Sequence, residues 1–457
     1  MERFTGIIGI LLILGIAFLF SNNKRRINYR LVISGLTLQV FIALMVLKVP
    51  PVTRFFQTIG HGMEKIEQFA KEGAGFVYGG IVVENEIFDP TRIKNDTTFT
   101  HDGKVIIAQK VTSPDPANPG KTIENVVFYA NGKLYEHNNY AKSGFVFAFS
   151  VTATIILVCV LVAILYYFGI MQFLVSLIAK AMNFIMRVSG AEALSNVASA
   201  FVGQVEAQVM IRPYLPTMTK SELLASMSGS LACIAGGILI VYANMGAKAE
   251  YLLTASLMAA PGALVISKIV FPETEESQTM GKVKLDVKSG YTNIIDAISH
   301  GAGDGMKIAV NVIAMLIGFI ALIACINYGL GFISKGLTLD VIFGKIFYPI
   351  AWSMGVPKQD VANVATLLGQ KLTINEFVAF KNLTSHNVNV MTPKGILIVS
   401  IAICGFANFS SVGMQIGGIG EIAPSRRADL AKLGLKALLC GTLASYLSAS
   451  IAGILMG

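Results

Sequence analysis

The chain contains several separate apolar runs of about twenty residues, and this feature limits its fold more than any other. A helix of that length crosses the roughly 30 Å of hydrocarbon in a bilayer. Of the 457 residues, 54% are hydrophobic and only 14% are charged, whereas an ordinary soluble domain has about 25% charged residues. The sequence therefore predicts an all-α polytopic membrane protein and excludes soluble enzyme folds.

The basic residues predict the orientation of the chain. Two N-terminal spans, at about 6–20 and 31–48 within residues 1–50, are joined by a basic loop without acidic residues, which we place in the cytoplasm. The loop 421–437 is basic in the same way. These loops account for the net charge of +9, so no nucleic-acid partner is predicted. About eight transmembrane helices then place both termini outside, with the six further spans near 145–168, 222–247, 252–271, 308–334, 391–417 and 434–456.

Two segments differ from the spans. Residues 51–80 include apolar side chains at helical intervals among charges, which predicts an interfacial helix or an ordinary connecting helix. Residues 81–142 are polar and alternate around the turn sequence Asn131-Gly132, which predicts a small β-rich extracytoplasmic insertion. The insertion carries no site chemistry, so a structural lid or a species-specific ornament is favoured over a binding function. The five cysteines lie inside apolar stretches without CxxC spacing, so neither a disulfide framework nor a zinc site is predicted. No cofactor is predicted.

Two shorter regions, near 176–216 and 341–380, are predicted to form re-entrant hairpins. In the first region an apolar run breaks at GQVE (203–206), and in the second a half-length apolar run is predicted to turn at GQK (369–371). Such runs are too short and too polar to cross a bilayer.

A long apolar segment with small and polar residues in its middle follows each hairpin. The interruptions lie at 232–237 and 405–411. The repetition predicts an inverted-repeat transport domain with a binding site near the membrane midplane, as in secondary transporters.

Glu206 and Glu376 are the ionisable residues of the two hairpins. A carboxylate at membrane depth costs at least about 2.5 kcal/mol on insertion scales, so each needs partners or a function. One interpretation is that each only caps a hairpin turn. The functional interpretation is a polar solute held between them, because carboxylates and amides suit a neutral ligand rich in O–H and N–H donors. The other predicted contacts are Gln204, Asn375, Asn408 and Ser411.

Long strings of residues between 143 and 457, among them GQVEAQVMIRPYLP, INEFVAF and CGFANFSSVGMQIGGIG, closely resemble the concentrative nucleoside transporters of bacterial type. The resemblance implies cation-coupled symport of purine or pyrimidine nucleosides across the cytoplasmic (inner) membrane. It also implies a homotrimer in the lipid bilayer, with scaffold and transport domains in 143–457 and an elevator-like movement. The substrate residues that it implies are Gly203, Gln204, Val205, Glu206, Ile238, Asn375, Glu376, Phe406, Asn408 and Ser411.

Within that set the resemblance implies a division of labour. The nucleobase would face Gln204, Val205 and Glu206. The ribose hydroxyls would be held by Glu376, Asn408 and Ser411. Apolar walls would be formed by Ile238 and Phe406. The family usually has Thr or Ser where this chain has Val205, so the preferred nucleoside stays open.

The coupling-ion position implied by the resemblance comprises Ser199, Val202, Cys233 and Ile234. Sodium-coupled members have Asn at the first position and Ser or Thr at the third. A shorter hydroxyl and a soft thiol weaken a cage of hard oxygen ligands. Proton coupling through Glu206 or Glu376 is therefore favoured, and sodium at these four residues is the alternative.

Functions from other classes find less support. The string GAGD at 301–304 matches the GxGD of intramembrane aspartyl proteases, but no neighbouring span supplies a second Asp, so a solvated interfacial helix is favoured. With no other catalytic motif, no enzyme activity and no catalytic residue are predicted. A passive channel, or a symporter for another polar solute, is the alternative to nucleoside symport.

Overall fold

The computed structural model describes residues 2–78, 97–101, 104–114, 122–130, 133–134, 147–280, 291–387 and 390–456. Within them the chain forms two compact units, one of Met1–Ile66 with Ile155–Gly457 and one of Glu67–Thr154. The segment predicted as an interfacial helix is helical, and its place at the membrane surface stays a prediction. The first helices are α1 (Glu2–Leu19), a 3-10 turn (Lys24–Arg26), α2 (Tyr29–Lys48) and α3 (Pro50–Tyr78).

Within residues 81–142, the described part forms one antiparallel sheet in the order β1-β2-β3-β4. Thr97 pairs with Ala108, and the register of the last two strands pairs Ala130 with Lys133. The predicted turn at 131–132 lies outside the described residues, and the extracytoplasmic position of the sheet stays a prediction. The strands are β1 (Thr97–His101), β2 (Lys104–Pro114), β3 (Thr122–Ala130) and β4 (Lys133–Leu134).

The remainder of the described chain is helical. α4 (Phe147–Tyr167) and α5 (Ile170–Met186) meet at a bend of 76°. The following helices are α6 (Gly190–Ser199), α7 (Glu206–Val209), α8 (Lys220–Ala232), α9 (Gly236–Asn244), α10 (Ala249–Val270), α11 (Ile294–Ile333), α12 (Leu339–Ser353), α13 (Val361–Thr373), α14 (Glu376–Asn382), a π turn (Leu383–Asn387), α15 (Pro393–Ile403), α16 (Phe409–Ile422), a 3-10 turn (Pro424–Arg426) and α17 (Arg427–Leu455).

Four helical stretches of the described chain are both long and apolar enough to cross a membrane, and the bent pair α4–α5 supplies a fifth if it counts as one span. This finding supports a multi-pass membrane protein. The number of eight spans and the outside position of both termini stay predictions. The four stretches are Tyr29–Lys48, Lys220–Asn244, Ala249–Val270 and Pro424–Leu455.

Both predicted interruptions are breaks between helices, and the two breaks touch. The first separates α8 from α9 and the second separates α15 from α16. The N–H of Phe406 donates to the carbonyl of Cys233 at 3.2 Å, across the breaks. Gly405 has a φ of +141°, and a Cβ there would collide with the carbonyl of Ala232. Only glycine combines this backbone conformation with so close an approach.

The second hairpin turns at a different place from the one predicted. Helix α13 continues through 369–371 and ends at Thr373, and Asn375 caps the start of α14. Gly369 instead faces Phe343 of α12, whose side chain occupies the space that a Cβ would need. The glycine therefore serves helix packing, and the asparagine cap makes the turn.

Buried polar groups fix the helices to one another. Gln39 of α2 is fully buried and donates through Nε2 to the carbonyl of Met258 in α10 and to Ser448 Oγ in α17, each at 3.0 Å. At the base of the first hairpin, Lys268 forms a buried ion pair with Glu192 at 2.7 Å. The ion pair holds α6, at the base of the first hairpin, against α10, and Gln39 holds α2 against α10 and α17.

Candidate functional site

Glu376 is the buried centre of a hydrogen-bond cluster. It opens α14, where Asn375 Oδ1 accepts from the N–H of Val378 at 2.9 Å. Glu376 Oε1 accepts from the hydroxyl of Tyr242 at 3.1 Å, and Oε2 accepts from Asn408 Nδ2 at 2.9 Å. Each carboxylate oxygen thus accepts from one neighbouring side chain and retains further acceptor capacity.

Asn408 links this cluster to the second helix break. Its Oδ1 accepts from the N–H of Ser411 and from the Ser410 hydroxyl, both at 2.8 Å, and so caps α16. These two donors fix the amide so that Nδ2 points at Glu376. The hydroxyl of Ser411 is buried without a hydrogen-bond partner among the described residues. Its unsatisfied oxygen is available to a ligand.

The tip of the first hairpin contacts α16. Gly203 has a φ of +135°, the left-handed region that favours glycine, and the N–H of Val205 donates to Glu206 Oε2 at 3.3 Å. The side chain of Val205 lies against Gly418. Gln204 Nε2 lies 3.9 Å from Met414 Sδ, and its Oε1 is buried without a partner in the described structure.

The structure places the two hairpin carboxylates in different surroundings. Glu206 lines a cavity of about 550 Å³ together with Val202 and Ile238. Glu376 is not among the residues that line this cavity. The predicted residues therefore form two groups, one around Glu376 and one along the first hairpin, which meet at α16 and at the helix breaks.

The predicted coupling-ion side chains are hydrogen-bonded to their neighbours. Ser199 Oγ donates to the carbonyl of Ser195 at 2.7 Å and lies 2.8 Å from Ser230 Oγ. Ser230 Oγ also accepts from Gln208 Nε2 at 2.8 Å. The thiol of Cys233 lies 3.8 Å from the carbonyl of Asn196. The N–H of Gly236 donates to the carbonyl of Phe201 at 3.2 Å, which joins the first hairpin to the start of α9.

Two further residues of the site, Tyr242 and Lys371, were not predicted from the sequence. Tyr242 stacks on Phe380 with ring centroids 4.4 Å apart while its hydroxyl reaches Glu376. Lys371 is fully buried, and its Nζ donates to the carbonyl of Ala402 in the last turn of α15 at 3.0 Å. A cation there is favoured by the helix dipole. An aromatic residue on an apolar helix and a lysine inside the expected turn gave no signal of these contacts.

Three family models match the chain. They are described as Na+ dependent nucleoside transporter N-terminus (residues 8–81), nucleoside recognition gate (148–249) and Na+ dependent nucleoside transporter C-terminus (251–453).

Similar proteins match over nearly the full chain. The uncharacterised transporter YutK of Bacillus subtilis is 38% identical, covering 98% of each chain, and the nucleoside permease NupC of Helicobacter pylori is 32% identical, covering 99% of this chain and 97% of its own. A solved structure of CNTnw in an inward-facing, substrate-bound state is 34% identical, covers 99% of each chain and has a TM-score of 0.83. These relatives are permeases and transporters and not enzymes. The chain belongs to the concentrative nucleoside transporter family.

Proposed function

We propose that this protein takes up nucleosides across the cytoplasmic membrane by cation symport, with the proton as the coupling ion. The observation that carries the proposal is the Glu376 cluster, a buried carboxylate with one side-chain donor on each oxygen. A nucleoside fits this chemistry, because its vicinal ribose hydroxyls are two neighbouring O–H donors. Hydrogen bonds to an ionised acceptor are short and strong.

The donors from neighbouring side chains leave acceptor capacity for this ligand. A carboxylate has about four acceptor positions, of which the neighbouring side chains use two at Glu376. Two ribose hydroxyls would fill the other two, and the unpartnered hydroxyl of Ser411 would add a further contact. Asn375 and Asn408 act by fixing the helix starts from which Glu376 and Ser411 project.

The first hairpin would bind the nucleobase. Gln204 Oε1 has no partner among the described residues and accepts from a base N–H, while Glu206 accepts from a second donor. Val205 packs against Gly418 and gives the base an apolar contact where a hydroxyl is usual in the family. Ile238 and Phe406 would enclose the base from the two helix breaks.

The hydrogen bonds at the coupling-ion position favour the proton. Ser199 donates to a backbone carbonyl and contacts Ser230, and the soft thiol of Cys233 lies near the Asn196 carbonyl. Sodium prefers several hard oxygen ligands, by the same preference that governs hard divalent ions. The Ser199 hydroxyl could offer sodium one oxygen lone pair while it donates to Ser195, but Cys233 supplies sulfur where a hard oxygen is preferred. Two of the three matching family models are described as Na+ dependent, so sodium at these residues is the alternative that the experiment must exclude.

The proposed movement is elevator-like. The transport domain contains both hairpins and both broken helices, and the two broken helices contact each other at their breaks. The scaffold contributes α4 and α11, which form the opposite wall of the cavity. We further propose a homotrimer in the inner membrane with both termini outside.

Uptake into proteoliposomes tests this function. Radiolabelled uridine and adenosine are offered under an imposed proton gradient, an imposed sodium gradient, or neither. Accumulation with the proton gradient alone supports the proposal, and accumulation with sodium alone keeps nucleoside symport but overturns the ion. Equilibration without accumulation would indicate a passive channel, and no entry of either nucleoside would indicate another polar solute.

A further inference from the structure

The cavity beside the first hairpin has one wall that contains none of the residues predicted to bind substrate or the coupling ion. Val202, Glu206 and Ile238 form one side, and α4, Tyr291 and the first turns of α11 form the other. Its volume of about 550 Å³ lies within the range of about 300–1,000 Å³ that small-molecule sites occupy.

Four polar side chains converge in this otherwise apolar cavity. They are the carboxylates of Glu206 and Asp304 and the phenols of Tyr166 and Tyr291. None of the described lining residues is Lys or Arg. Ionised carboxylates only accept hydrogen bonds, and phenols both donate and accept. The combination suits a neutral, flat ligand with several N–H and O–H donors and disfavours an anion.

Asp304 is available to such a ligand. Asp304 Oδ1 lies 3.5 Å from Nζ of Lys307, with which it forms an ion pair, and both side chains are more than half exposed. An exposed ion pair of this kind contributes little. Asp304 is the aspartate of the GAGD sequence at 301–304, which resembled a protease motif. Its carboxylate lies on the cavity wall opposite the one that carries Glu206.

We propose that Tyr166, Tyr291 and Asp304 form a second nucleoside-binding station, at which the nucleoside rests between the bulk solution and the Glu376 cluster. The station deepens the proposed function and rests on a nucleoside being the substrate. Glu206 lines the cavity of the station and also belongs to the base-binding residues of the first hairpin. It therefore keeps a hydrogen bond to the base while the nucleoside moves from the station to the Glu376 cluster.

Cysteine protection tests the station in the full-length protein. Cys159 lines the cavity and is partly exposed, Cys325 is exposed on α11 outside it, and the other three cysteines are buried. The rate at which N-ethylmaleimide modifies Cys159 and Cys325 is measured by mass spectrometry with increasing uridine. We expect uridine to slow modification of Cys159 and to leave Cys325 unchanged.

The variant Glu376→Gln separates the station from the ribose site. If the station binds nucleoside by itself, uridine protects Cys159 in this variant at a concentration well below the one that fills the weakened ribose site, because the station does not use Glu376. If the half-protecting concentration rises by the same factor as the dissociation constant of the ribose site, Cys159 only reports occupancy there and the inference is overturned.

Three conservative variants test the named side chains in the Glu376→Gln background. Tyr166→Phe, Tyr291→Phe and Asp304→Asn should each raise the half-protecting uridine concentration about fivefold, the effect of losing one hydrogen bond. The control Tyr328→Phe removes an exposed hydroxyl on α11 outside the cavity and should have no effect.

Unchanged protection in all three variants would overturn the station. A wild-type protein that transports uridine without protecting Cys159 would also refute it while leaving the proposed function intact. A wild-type protein that neither transports nor binds nucleosides would instead refute the proposed function.

Discussion

Replacing Glu376 with Gln should weaken nucleoside binding by an amount that follows from its hydrogen bonds. Asn408 Nδ2 cannot turn away without losing the cap that its Oδ1 makes with Ser411, so the amide oxygen of the new side chain must face Asn408. The NH₂ group then faces Tyr242, whose hydroxyl can rotate to accept. The side chain therefore fits, and the protein should fold, but the charge is lost.

The loss can be estimated per ribose hydroxyl. A hydrogen bond to a charged group contributes about 1.5–3 kcal/mol and a neutral one about 0.5–1.5 kcal/mol. Two hydroxyls then lose about 2–3 kcal/mol together, which corresponds to roughly 30- to 150-fold weaker binding. Transport at micromolar uridine should fall below detection.

Binding of uridine and 2′,3′-dideoxyuridine to the purified protein measures this effect. The wild type should prefer uridine by about 3–6 kcal/mol, the value of two hydrogen bonds to a charged group, and Glu376→Gln only by about 1–3 kcal/mol, the value of two neutral ones. The matched control Glu275→Gln removes an exposed carboxylate and should keep the preference. If Glu376→Gln keeps both its uridine affinity and its preference for the hydroxyls, Glu376 does not hold the ribose.

Three further substitutions test the ion position, the helix break and the cluster. Ser199→Asn should increase the share of uridine uptake that an imposed sodium gradient drives, and an unchanged ion profile would contradict the coupling argument. Gly405→Ala should lower the thermal unfolding temperature in detergent, since a left-handed φ alone costs about 1–3 kcal/mol, whereas Gly413→Ala meets no neighbouring atom and should not. Tyr242→Phe should cost about 1.5–3 kcal/mol of stability, the value of a hydrogen bond to a charged group, seen as a lower unfolding temperature than that of Tyr328→Phe.

The helix breaks could be predicted because their cause is local. Small and polar residues at 232–237 and 405–411 weaken a helix wherever they stand, and both segments are interrupted in the structure. The left-handed Gly203 at the first hairpin tip follows the same logic. Local chemistry also locates Asn408, since an asparagine before an apolar run is an N-cap signal.

The second hairpin and the partners of Glu376 depend on distant residues and could not be predicted in the same way. Gly369 looked like a turn residue, but a glycine is needed there because the side chain of Phe343 occupies the space of a Cβ. Phe343 lies on a different helix, so the sequence around Gly369 could not show this contact. Tyr242 reaches Glu376 from α9, 134 positions away in sequence. Lys371 is paired with the end of α15, a contact that only the folded arrangement creates.

The two hairpin carboxylates differ in how the protein satisfies them, and this difference suggests which one responds to the transport cycle. Glu376 receives donors from Tyr242 and Asn408, both fixed by neighbouring helices. Glu206 accepts a hydrogen bond from the N–H of Val205, which belongs to the same hairpin tip. It faces a cavity that Asp304 also lines. A carboxylate near a second carboxylate, with few protein donors, gains most from an added donor, whether a base N–H or a proton. Glu376 is therefore suited to constant recognition of the ribose, and Glu206 to the exchange of partners as the hairpin moves.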